Sequence, residues 1–143
     1  MSGQLDPIAL MRKIGELESK IDALRTIQTG GIWTAYTPTV TSLAGSITSY
    51  TASGIYSKVG NIVFVHVGVT ITNNGTGSGA IVFTMPITVG TGNFIFDGRE
   101  NAATGNQLHG IVSTGGNLNC YTYNNAYPGG TNYVIYMSGN YSV

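Results

Sequence analysis

The chain has 143 residues, with six Lys+Arg against six Asp+Glu, 21 glycines and one cysteine. That length suits one typical domain with a short extra element, and zero net charge removes the basic footprint that nucleic-acid binding requires. A lone cysteine excludes an internal disulfide or a four-thiolate zinc site, and no run of about 18 apolar residues offers a membrane span. The N-terminal twenty residues are charged where a signal peptide needs an apolar core, so the sequence predicts synthesis in a cytoplasm without a cleaved signal.

Eight of the twelve charged residues precede Thr26; the remaining 118 residues carry only Lys58, Asp97, Arg99 and Glu100. This break divides the chain into an N-terminal helical region, 1–29, and a β region, 30–143. The first region reads as one helix of about 22 residues, roughly 33 Å long. Asp6 is a good N-cap, Pro7 fits the first helical position, and Gly30 or Gly31 supplies the stop. Leu10, Ile14, Leu17, Ile21 and Leu24 recur at spacings of 4, 3, 4 and 3, a heptad seam with Ile at a and Leu at d. Such a stripe either packs on its own domain or pairs with copies of itself. Lys13 facing Glu18 of a neighbour and Glu16 with Lys20 along the helix favour self-pairing, while Lys20 facing Arg25 opposes it. By itself the Ile-a/Leu-d pattern favours a parallel dimer, a preference the attached domain can override.

From Trp33 the pattern alternates with period 2. Tyr56 to Val59, then Gly60-Asn61, then Ile62 to Thr72 reads as a two-residue hairpin. Val63, Val65, Val67, Val69 and Ile71 share one face; Ile62, Phe64, His66, Gly68 and Thr70 share the other. With no charge on either, this strand is expected to be covered on both sides. Asn73 to Gly79 is a turn. Strands are expected at Ala80–Pro86, Asn93–Phe96, Gln107–Thr114, Leu118–Tyr123 and Thr131–Met137, with Gly115-Gly116 or Gly116-Asn117 as a turn and Tyr141 to Val143 as a short closing strand. The fold class is therefore mainly β: an antiparallel β-sandwich or small β-barrel. Its near-absence of charge suits burial between copies.

The residues offer little for catalysis. His66 and His109 are far apart in the sequence, lack metal-ligand spacing, and alternate with apolar neighbours, so packed imidazoles are expected; only a symmetry axis would gather several ligands. Cys120 sits on an inward-looking face and reads as inert packing. Asp97 and Glu100 are the only carboxylates of the β region and are expected in one loop, neutralised by Arg99. They do not make the acid pair of a glycosidase. No metal, cofactor or catalytic residue is assigned. Saccharide binding is less demanding: it needs rings for the apolar sugar face and amides or a guanidinium for hydroxyls. Tyr121, Tyr123, Asn124, Asn125 and Tyr127 supply these, with Asp97 and Arg99 as polar helpers. Asn119, Tyr121 and Tyr123 share one strand face opposite Cys120. The same tyrosines would equally cover a β surface or a subunit interface. Trp33 is expected to plug the neck between helix and β region.

Together, the W-x-x-Y-T-P-T segment from Trp33, the G-x-Y-x-K-V-G-N-x-V hairpin from Gly54, the strand running into Met85-Pro86-Ile87, and the closing Gly139-Asn140-Tyr141-Ser142-Val143 resemble bacteriophage tail-fibre and receptor-binding head domains. The resemblance implies a parallel homotrimer with a helical stalk and a β head, assembled in the host cytoplasm and incorporated into the virion. It also implies attachment to other virion proteins through the N-terminal helix and recognition of host-surface saccharide. The short stalk implies a short fibre or knob. It leaves open a trimeric capsid decoration protein or head fibre, and, against the scarcity of carboxylates, a polysaccharide depolymerase.

Overall fold

The computed structural model describes residues 6–28 and 31–143. It separates into two compact units, one containing helix α1 (Pro7–Gln28) and the other running from Trp33 to Val143. The Asp6 carboxylate accepts from the Ile8 amide at 3.2 Å and its carbonyl from the Leu10 amide at 2.9 Å, the cap that Asp6-Pro7 announces. Gly31 follows with φ 52°, a left-handed conformation suited to glycine; Gly30, its alternative as a stop, lies outside the described residues. Along the helix Arg25 pairs with Asp22 at 3.8 Å, whereas Glu16 and Lys20 are not within ion-pair distance.

The second unit is a single antiparallel sheet of nine strands: β1 (Thr34–Tyr36), β2 (Val40–Ala44), β3 (Ser49–Val59), β4 (Ile62–Asn73), β5 (Ser78–Phe83), β6 (Asn93–Glu100), β7 (Gln107–Ser113), β8 (Leu118–Thr122) and β9 (Tyr133–Ser142). Their order is β1-β3-β4-β9-β6-β7-β8-β5-β2. The sheet curls into a half-barrel, so the two-sheet sandwich alternative does not describe it. Near the ends of the curl, the Val40 amide on β2 donates to the Tyr50 hydroxyl on β3 at 3.1 Å.

The curl has a packing origin. On the concave side, Val65, Gly139, Phe96, Gly110 and Cys120 follow one another across five strands, and Val67, Met137, Gly98 and Leu108 form the next row. Glycines thus alternate with large side chains. A Cβ at Gly139 would lie 2.6 Å from the Phe96 ring, and one at Gly110 would lie 2.6 Å from Leu118. Small residues opposite large ones let a narrow interior fill without voids. Phe83, Phe96, Leu108, Leu118, Ile135, Met137 and Tyr141 complete the core with the β4 valines.

The β3–β4 hairpin turns at Gly60-Asn61, with Val59 opposite Ile62 and Gly60 at φ 59°. Three expectations are corrected. The strand expected at Ala80–Pro86 is β5, ending at Phe83 before the proline. The strand from Asn93 does not stop at Phe96 but runs to Glu100, because β9 and β7 supply ladder partners on both sides. Tyr141 and Ser142 are not a separate closing strand but the end of β9, which pairs with β4 along its length.

Candidate functional site

Strand alternation divides the charged and aromatic residues between two faces. The inner face of β4 is fully buried: Val63, Val65, Val67, Val69 and Ile71 are at most 3% exposed. Its outer face is open in the single chain, with Phe64 at 42%, which corrects the expectation of cover on both sides. The reason is topological: a single curled sheet covers only its concave side.

The outer face has two halves of different chemistry. The first lies on β3, β4 and β9. Cross-strand neighbours on this side run Ile55, His66, Ser138 in one row and Ser53, Gly68, Tyr136 in the next. His66 Nδ1 and Ser138 Oγ share a 2.5 Å hydrogen bond, and the Trp33 indole packs on the His66 imidazole with centroids 5.1 Å apart. His66 is thus a packed, hydrogen-bonded imidazole, as expected, placed at the surface under an indole, and Trp33 lies on the β unit itself. Gly68 leaves room for Tyr136, whose ring carbons lie 3.0 Å from where a glycine-to-alanine Cβ would stand. A shallow cleft of about 290 Å³ lies between Ile55, His66, Gly68 and Tyr136.

The second half lies on β6, β7 and β8. Asp97 opposes Ser138 on one side and His109 on the other; His109 in turn opposes Tyr121, with the two rings stacked at 5.8 Å and 27°. Arg99 sits one row along, between Tyr136 and Gln107, beside the Gly105 backbone in an open recess of about 330 Å³. Of the sequence-nominated residues, the sheet therefore gathers Tyr121, Asp97 and Arg99 on one face. Tyr123, Asn124 and Asn125 lie in the turn that follows β8. Tyr123 is open to solvent, the Asn124 Oδ1 accepts from the Thr122 hydroxyl at 2.6 Å, and Asn125 adopts φ 62°. Tyr127 does not join them. Its half-buried ring packs against the core, and its hydroxyl donates to Asn74 Oδ1 at 2.6 Å. His109 is the member that sequence reasoning missed: only the β6–β7–β8 register shows it between Asp97 and Tyr121.

Glu100 is also corrected. It is not a loop carboxylate paired with Arg99; alternation sends Arg99 outward and Glu100 inward, where it is 1% exposed. Its oxygens accept from the amides of Ala102 at 2.8 Å, Ala103 at 3.0 Å, Thr104 at 2.5 Å and Val134 at 3.2 Å, and from the Thr104 hydroxyl at 2.9 Å. Burial opposes its ionisation, but the donors from Thr104, Ala102 and Val134 outweigh burial and hold the carboxyl down at about 2. The group ties the loop after β6 to the start of β9.

What this face can do chemically follows from the order of its groups. In the register Ser138 stands between His66 and Asp97, with its hydroxyl bonded to His66 Nδ1, and Asp97 has His109 on its other side. Among the described residues no group of three His, Cys, Asp or Glu converges as a metal site. Cys120 is buried against Met137 Sδ at 3.4 Å, and burial pushes its thiol up to about 12. The groups that remain accessible stack and hydrogen-bond. In comparisons with family models, curated proteins and solved structures, none matches this chain.

Proposed function

We propose that this chain is a bacteriophage virion protein, a short trimeric fibre whose β domain adsorbs to saccharide on the host surface. The observation that carries the reading is the uncovered seam of α1. Leu10, Ile14, Leu17, Ile21 and Leu24 are 44–60% exposed on a helix that forms a compact unit of its own. An isolated helix gains little from propensity and needs a partner for its apolar stripe, which a parallel coiled coil supplies. The choice of three copies over two rests on the resemblance to phage fibre heads. The helix also carries the junction to other virion proteins.

Saccharide recognition is assigned to the β6–β7–β8 half of the outer face. Tyr121, stacked on His109, and the open Tyr123 offer rings to the apolar side of a sugar, and Asp97, Arg99 and Asn125 offer polar contacts to its hydroxyls. Tyr127 is withdrawn from the set because its hydroxyl is already used by Asn74. With few contacts, each head binds weakly, and several heads on one particle supply the strength.

Light scattering on the full chain tests the assembly: a mass of three chains is expected, and a stable monomer would remove the coiled-coil reading. Ile21→Asp, which puts a charge in the seam, is expected to dissociate the oligomer. A glycan array and a host-envelope adsorption assay test the head. Tyr121→Ala/Tyr123→Ala in the intact oligomer is expected to lose binding at least tenfold. Absence of wild-type binding to host envelopes would favour a capsid decoration role, and release of reducing ends would make the protein a depolymerase.

A further inference from the structure

The β3–β4–β9 half of the outer face has no place in saccharide binding, and its composition is unlike that of an ordinary surface. Fifteen positions alternate to this side: five on β3 (Thr51 to Val59), five on β4 (Ile62 to Thr70) and five on β9 (Val134 to Ser142), of which Ser57 and Gly68 are buried. None is Asp, Glu, Lys or Arg, whereas soluble surfaces are about 25–35% charged. Ile55, Ile62, Phe64, Tyr136 and the adjoining Trp33 are each 38–55% exposed. Three strands by nine residues make a face of about 14 by 30 Å, with these apolar side chains set among smaller polar ones.

We infer that this half of the sheet is where the β domains of neighbouring copies of the chain pack against one another in the assembled protein. The inference deepens the trimer reading and rests on it. Two observations select a second copy as the occupant, and the area of the face sets how much it can contribute. The patch combines six aliphatic or aromatic side chains (Ile55, Val59, Ile62, Phe64, Val134 and Tyr136) with small hydroxyl residues and no Asp, Glu, Lys or Arg, so the same face of another copy can meet it without like-charge repulsion. It begins at Trp33, the first residue of the β unit, whose ring lies on this face against His66; helices joined in parallel would bring the same entry point of every copy together. And its area, about 400 Å² on the spacing above, is half of the roughly 800 Å² per partner that a standard stable interface buries. The face therefore acts with the helical seam and cannot hold copies together alone.

The test is thiol accessibility in the full-length chain. Native Cys120 is fully buried and stays silent. Ser53→Cys, at an exposed position in the patch, is labelled with a maleimide in the native oligomer and again with Ile21→Asp added; Asn117→Cys, in the exposed turn before β8, is the control. Protection of Ser53→Cys by at least tenfold in the oligomer, lost on adding Ile21→Asp and absent at Asn117→Cys, is the expected result. A second variant, Phe64→Asp, changes an exposed side chain and should leave the circular dichroism of the chain unchanged while weakening assembly at least tenfold. An oligomer in which Ser53→Cys reacts as fast as Asn117→Cys would overturn this inference and leave the coiled coil standing. A monomeric wild type would overturn both. Protection of Ser53→Cys only on adding host-envelope polysaccharide would make the occupant a saccharide and overturn it too.

Discussion

The two faces of β4 both lack charged residues and meet opposite fates. Inward, four valines and Ile71 are sealed in the core on the concave side; outward, Ile62, Phe64 and His66 stand open, with Trp33 against His66. Absence of charge cannot separate them; what marks the inner face is its unbroken Val and Ile, against His66, Gly68 and Thr70 on the outer one. The difference is that the concave side of a curled sheet supplies its own neighbours while the convex side has to obtain them from elsewhere. An apolar face of a strand thus signals contact, and the fold decides whether the contact is intramolecular.

The comparison breaks most sharply on the concave side. Phe96→Ala empties the space above Gly139 and is expected to cost about 3–5 kcal/mol in denaturant unfolding, a large part of the stability of an ordinary domain. Gly139→Ala attacks the same pair from the other side: its methyl would meet the Phe96 ring, and a loss of about 1–3 kcal/mol is expected.

Glu100 is a carboxylate buried on the inner face. Its carboxyl ionises near 2 in the folded chain against 4.5 for the ordinary group. Its stabilisation is therefore complete above pH 4.5 and is lost as pH falls from there towards 2. In Glu100→Gln the amide donors of the loop meet a weaker acceptor and an added NH₂ group, with an expected loss of about 1–3 kcal/mol at neutral pH. Acid titrations of thermal stability should show the slope between pH 4.5 and 2 shallower in the variant than in the wild type.

The smallest effect belongs to the convex side. Phe64→Ala, measured in the Ile21→Asp background, is expected to change unfolding by no more than about 0.5 kcal/mol. The same substitution in the native chain should raise the concentration below which the proposed oligomer dissociates. A core-sized loss in the dissociated chain would mean that Phe64 is packed within its own domain.

Much of the architecture was legible because it is written locally. Asp6-Pro7 marks the helix start, Gly60-Asn61 the hairpin, and strict alternation the buried face of β4. The end of β6 was not legible, because Asp97-Gly98-Arg99-Glu100 has the composition of a turn and becomes strand only through pairing with β7 and β9. Asp97, Arg99 and Tyr121 were identifiable as polar and aromatic candidates, but their gathering on one face, with His109 between two of them, depends on a register spanning three strands. Tyr127 was misplaced for a similar reason: its hydroxyl partner, Asn74, is 53 residues away.

By itself, the sequence determined a helix with an apolar seam, a β domain almost free of charge, and the places where strands turn, since capping, alternation and left-handed glycines act over a few residues. The tertiary structure decided which apolar faces close on themselves. Gly98, Gly110 and Gly139 became spaces for Met137, Leu118 and Phe96 only when strands distant in the chain were laid side by side. That fit curls the sheet, seals one side, and leaves the other open in the single chain.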